Sequence, residues 1–154
     1  MTQEQQLRAL LKAIRKISRA VDLQSRRIDR IVGLTLPQLV VLGCVRDLGE
    51  VTSRAISEEA ELSAPTVVGI LDKLEAKGLV ERYRSRVDRR IVHTRLTDKG
   101  VATLAAAPSP LGHPFEQAFL KLPSDTRTST LDALERVASL ALVDAEDELT
   151  PVDR

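Results

Sequence analysis

Apolar residues recur at three- and four-residue spacing near the start of the chain: Leu7, Leu10, Leu11, Ile14, Ile17, Val21, Ile28 and Ile31. That period predicts one long amphipathic helix over residues 4–31, and Gly33 is the first residue to stop it. A stripe this long exceeds what a small domain can cover, so part of it is expected to meet a second subunit.

A second start signal follows at Leu34-Thr35-Leu36-Pro37-Gln38, with the proline in the first turn. The helix Pro37–Leu48 is apolar nearly all round and is expected to be central and buried. Gly49 ends it, and residues 50–52 read as a very short strand or an extended link. Thr52 or Ser53 caps a short helix to Ala60. Leu62-Ser63 forms a turn, and Ser63 caps a helix over Ala64–Lys77 that stops at Gly78. Leu79–Ser85 and Ile91–Leu96 are expected to pair as an antiparallel hairpin with a polar tip at residues 86–90. Thr97 caps a helix to about Ala107, which the proline-rich run 107–114 breaks. Two more helices are expected at Phe115–Leu122 and Ser124–Val143, and the acidic residues 144–154 read as disordered.

The fold class is therefore mainly α (α+β), a winged helix-turn-helix flanked by terminal helices. Residues 1–35 form the first helix, 36–100 the winged helix-turn-helix, 101–143 the C-terminal helices and 144–154 a tail. The 154 residues are 43% hydrophobic and only 2% aromatic, which calls for an aliphatic core and favours helix-on-helix packing.

The net charge of +1 hides an uneven distribution. Residues 82–95 carry six arginines against one aspartate, and the last stretch is acidic. A basic centre with an acidic end suits a nucleic-acid binder. Arg84, Arg86, Arg89 and Arg90 on one tight hairpin repel one another, and a surface that keeps them together serves a polyanion. Asp88, two residues before Arg90, is placed to orient that guanidinium. Arginine also suits a narrow A·T-rich minor groove.

In the helix Ala64–Lys77, Val67, Leu71 and Leu74 face inward. Ser63, Ala64, Pro65, Thr66, Val68 and Gly69 lie at the exposed N-terminal end, the part of a recognition helix that enters the major groove. Ser63 and Thr66 offer hydroxyls to phosphates or bases, and Ala64 and Val68 offer methyl contact to thymine.

Residues 36–100 resemble the MarR family of winged helix-turn-helix regulators. The resemblance rests on Leu62-Ser63 with Thr66-Val67, and on Leu71-Asp72-Lys73-Leu74-Glu75 with Lys77-Gly78-Leu79-Val80. It rests also on Asp88-Arg89-Arg90 with Leu96-Thr97-Asp98-Lys99-Gly100. It implies an obligate homodimer, built by the first helix and the C-terminal helices through Leu7, Leu11, Ile14, Phe119, Leu131, Leu134 and Val137. It implies a pseudo-palindromic double-stranded DNA target, with Arg90 in the minor groove held by Asp88. Arg89 and Lys73 would make phosphate or groove contacts. Relatives often carry polar residues where this chain has Ala64 and Val68. The proline-rich break, Leu36–Leu42 and Leu48–Thr52 resemble a branch regulating ectoine and other compatible-solute genes. The family's small aromatic effectors would find only Tyr83, Phe115 and Phe119 to stack on.

No catalytic constellation is present, and His93 and His113 have no partner at metal-ligand spacing, so neither enzyme activity, metal nor cofactor is implied. Cys44 sits in the apolar run Val40–Val45 and is expected to be buried and unreactive rather than redox-sensing. No signal peptide or membrane span is recognisable, which makes a cytoplasmic location the expectation. The alternative function is a winged-helix protein-interaction adaptor, a role that does not require a basic wing.

Overall fold

The computed structural model describes residues 1–147, with side chains to residue 142. The elements run α1 (Gln3–Val32), α2 (Leu36–Leu48), β1 (Val51–Thr52), α3 (Ser53–Ala60), α4 (Ala64–Ala76), β2 (Val80–Arg84), β3 (Val92–Leu96), α5 (Asp98–Ala106), α6 (His113–Leu120) and α7 (Ser124–Asp147). The protein is mainly helical with one small antiparallel sheet of order β1-β3-β2.

The chain divides into two compact units, Met1–Gly112 and His113–Arg154. The end of α1 belongs to the same core as α2: Ile28 and Leu34 are fully buried with Val41, Leu42, Ile56, Leu71 and Leu74. The reason is visible along α1. Its apolar stripe is exposed from Leu7 to Val21 and becomes core only at Ile28.

Side-chain caps set the helix boundaries. Thr35 and Gln38 form a reciprocal capping box on α2, which explains why the polar Gln38 sits among buried residues. Thr52 caps α3 and Ser63 caps α4. The turn between them passes through Glu61, whose φ of 52° is left-handed, and no sequence pattern marks a glutamate for that role. Helix α4 stops at Ala76. Lys77 is its cap, and Gly78 takes φ +71° to turn the chain into β2.

Gly100 shows why the segment Leu96–Gly100 takes its form. A Cβ there would lie 2.1 Å from the Leu79 carbonyl oxygen. Thr97 completes the junction: its hydroxyl donates to Gly78 O at 2.6 Å and accepts from Gly100 N at 3.1 Å. The start of α5 is thereby fastened against the start of β2.

In the second unit α6 spans His113–Leu120, about two residues ahead of the Phe115–Leu122 expectation, because Pro114 fits a first helical turn. Phe115 and Phe119 stack with centroids 6.5 Å apart. Helix α7 continues four residues beyond Val143, into the stretch expected to be disordered. Residues 144–147 hold neither glycine nor proline, so nothing local ends the helix there. The rest of that tail, 148–154, lies outside the described residues.

Candidate nucleic-acid interface

The wing is built by β2 and β3, paired from Val80↔Leu96 to Arg84↔Val92. Its tip is a closed turn. Ser85 N donates to Ile91 O at 2.8 Å, and the Ser85 hydroxyl accepts from the amides of Val87 and Asp88. Asp88 then holds Arg90 three times: Oδ1 accepts from its amide at 3.0 Å and from Nε at 3.2 Å, and Oδ2 accepts from Nη2 at 3.3 Å. Hydrogen bonding to Arg90 pulls the Asp88 carboxyl below its usual range. The Arg90 side chain is nevertheless 91% exposed, so it is aimed without being consumed. Arg84 donates to Arg89 O at 2.8 Å, fixing the other side of the tip. Arg86 and Arg89 are exposed beside them.

The six hairpin arginines are not equivalent. Arg82 is turned inward, where it bonds Asp72 at 2.6 Å and Glu75 at 3.0 Å on α4. Glu75 also accepts from the Arg82 amide, and its carboxyl is held below its ordinary value chiefly by Arg82. Arg95 pairs with Glu81 and lies over the Tyr83 ring, 4.6 Å from its centroid. Tyr83 in turn meets His93 edge-on at 5.7 Å. Arg82 and Arg95 thus brace the wing, and the exposed cationic group narrows to Arg84, Arg86, Arg89 and Arg90. The bracing has one local sign in the sequence, Asp72 and Glu75 three residues apart on one helix face, which suits an approaching cation. Val87, fully exposed at the tip, was marked by no pattern.

On α4 the inward residues are Val67, Ile70, Leu71 and Leu74. Ser63, Ala64, Pro65, Thr66, Val68, Gly69 and Lys73 are all exposed. Ser63 Oγ lies 2.7 Å from Thr66 Oγ1 and accepts from the Thr66 amide, so the cap occupies part of both hydroxyls' bonding capacity. The C-terminal end of α4 is tied down by two lysines: Lys77 Nζ donates to Gly33 O at 2.6 Å, and Lys99 Nζ to Lys77 O at 2.9 Å.

The residues assigned to subunit contact are placed as follows. Leu7, Leu11 and Ile14 are exposed on α1, and Leu131 and Leu134 on α7, while Phe119 and Val137 are half-buried. A cavity of about 420 Å³ lies among Leu39, Val40 and Cys44 of α2, Glu59 of α3, Leu104 of α5 and the following Pro108. No aromatic side chain lines it. Burial pushes the Cys44 thiol up, and Glu59 and Asp47 add to the effect. Among the described residues no group of three or more His, Cys, Asp or Glu side chains is placed to hold a metal ion. No single helix among them is long and apolar enough to cross a membrane.

A three-helix core, a capped second helix with a small-residue N-terminus and a braced basic hairpin define a winged helix-turn-helix. The sequence model of the MarR family matches residues 34–92, the segment from the end of α1 to the start of β3. The regulator MgrA of Staphylococcus aureus is 34% identical over 62% of this chain and 63% of its own length. The chain spans about three fifths of the length of the curated relatives it matches. Among solved structures, the PcaV regulator of Streptomyces coelicolor, crystallised with its natural ligand, superposes with a TM-score of 0.69. It is 23% identical, with 84% of this chain and 91% of PcaV covered. Bordetella bronchiseptica BpsR, whose DNA binding is regulated by 6-hydroxynicotinic acid, is 27% identical with a TM-score of 0.65, over 86% of this chain and 98% of its own. Residues 34–92 are thus similar to the MarR family, and the relative MgrA is a transcriptional regulator.

Proposed function

We propose that this protein is a sequence-specific double-stranded DNA-binding transcriptional regulator. The observation that carries the reading is the wing tip. Four exposed arginines cluster at one hairpin tip, and Asp88 aims Arg90 outward on the hairpin that follows an exposed, small-residue helix N-terminus. Arginines crowded in this way add no local stability and match a phosphate backbone. Ser63, Ala64, Pro65, Thr66, Val68, Gly69 and Lys73 would face the major groove, and Arg90 the minor groove.

The acting unit is a homodimer reading a pseudo-palindrome. Its support is the exposed apolar stripe of α1 and the exposed leucines of α7. The protein acts as a repressor, because a dimer seated on a promoter excludes polymerase. Its targets are osmotic-stress genes for compatible solutes, a reading supported by the residue pattern at Leu36–Leu42 and Leu48–Thr52. A small-molecule effector would enter the cavity beside Cys44. With no aromatic lining, that cavity suits an aliphatic ligand better than a ring that needs stacking.

Replacing both Arg89 and Arg90 by alanine tests the interface. Fluorescence anisotropy on a bound duplex should show affinity falling by roughly 1–3 kcal/mol per specific contact, with a shallower dependence on salt. Unchanged affinity would remove the wing from the interface. Absence of DNA binding in the unaltered protein would favour the protein-interaction adaptor.

A further inference from the structure

The first helix carries a second pattern that the operator reading does not use. Its eight lysines and arginines, from Arg8 to Arg30, are all exposed. At about 100° per residue they fall within about a third of the helix circumference. Arg8, Arg15, Arg19 and Arg26 lie nearly along one line. No carboxylate enters that arc; Glu4, Asp22 and Asp29 sit along one edge, and Glu4 pairs with Arg8. The apolar stripe through Ile14 and Val21 occupies the opposite side, so a subunit docked on the stripe leaves the ridge open.

A face kept only for solubility mixes both signs. This one holds a single sign throughout, in a chain whose net charge is +1. It also works against its own helix, because Arg8 with Lys12, Arg15 with Arg19, and Arg26 with Arg30 are like charges four residues apart. Such a ridge is suited to a polyanion. The 22 residue steps from Arg8 to Arg30 span about 33 Å, close to the roughly 34 Å of one duplex turn. Six of the eight cations are arginine, whose planar fork matches phosphate. Helix α1 has no aromatic residue on which the bases of a single strand would stack. The chemistry therefore favours a duplex backbone.

We infer that the basic ridge of α1 is a second, sequence-independent surface for double-stranded DNA, gripping a duplex other than the one engaged by α4 and the wing. One dimer then bridges two DNA segments. The ridge itself is independent of the function proposed above; only the bridging rests on it.

The test is a two-duplex capture with the full chain. A selected operator duplex is fixed to beads, protein is added, and a labelled unrelated duplex is offered at about 0.1 M salt. The protein should retain the second duplex. The variant Arg15→Gln/Arg19→Gln/Arg26→Gln should retain about tenfold less while holding the operator with unchanged affinity. No capture by the unaltered protein, or equal capture by the variant, would overturn the inference. So would equal ridge-dependent capture of a single-stranded RNA of the same length, or a longer footprint on one duplex without capture of a second. If no operator is bound at all, the operator reading fails separately. The ridge is then read directly, from binding of the unrelated duplex by Arg89→Ala/Arg90→Ala protein with and without the ridge substitutions. Ridge-dependent binding upholds the surface, and its absence rejects it.

Discussion

Arg82 and Arg90 are the same residue type eight positions apart, and the structure uses them in opposite ways. Arg82, with its side chain 24% exposed, is spent on Asp72 and Glu75. Arg90 is 91% exposed and only oriented by Asp88. The first joins helix to strand; the second is free to meet a ligand. Thr94 shows a different economy. It lies in the central strand β3, fully buried, and among the described residues its hydroxyl has no hydrogen-bond partner. A buried unsatisfied hydroxyl costs about 1–3 kcal/mol. Thr94→Val keeps the shape and removes the hydroxyl, so denaturant unfolding should show a gain of about 1 kcal/mol. A loss of stability would mean that the hydroxyl is satisfied in solution.

At the scale of elements, junctions matter more than the helices themselves. The start of α5 is fastened to β2 by Thr97 and by the close approach of Gly100 to Leu79. Gly100→Ala forces a Cβ into a backbone carbonyl, which no side-chain rotation relieves. Unfolding should show a loss of about 1–3 kcal/mol, the usual scale of overpacking. Wild-type stability would contradict the tight junction. The elements themselves were largely legible in sequence, because their signals are local. Caps at Ser63 and Thr97, the cap left between Thr52 and Ser53, and stops at Gly33, Gly49 and Gly78 mark boundaries within a few residues of where they fall. What escaped was non-local or lacked a usual sign. The pairing of Arg82 with α4 depends on a strand folding back across ten positions. Glu61 takes a left-handed turn usually given to glycine or asparagine. The continuation of α7 past Val143 runs through acidic residues whose composition suits a solvated tail, and only the lack of glycine or proline at 144–147 points to a helix. The exposed end of α4 and the four tip arginines could be read because a capped helix and a charge cluster are both visible along the chain.

For the whole molecule, exposed apolar surface is the main structural fact left without a partner. Leu7, Leu11 and Ile14 are 67%, 50% and 42% exposed on one helix face. A soluble chain seldom leaves so long a stripe in water. Ile14→Glu should disrupt a dimer without touching the core. Light scattering is expected to give a monomer, with operator affinity reduced because each half-site then binds alone. A dimer that persists in this variant would place the subunit contact elsewhere. The charge distribution operates on the same scale. A near-neutral total conceals an arginine tip that the fold exposes and braces, and the central claim is that this tip and the N-terminus of α4 read a two-fold-related DNA sequence. The most direct test is selection of binding sites from a randomised duplex library at about 0.1 M salt. An enriched pseudo-palindrome whose half-sites lie about one helical turn apart is the expected result. Tight binding without any enriched sequence, or no binding at all, would contradict it.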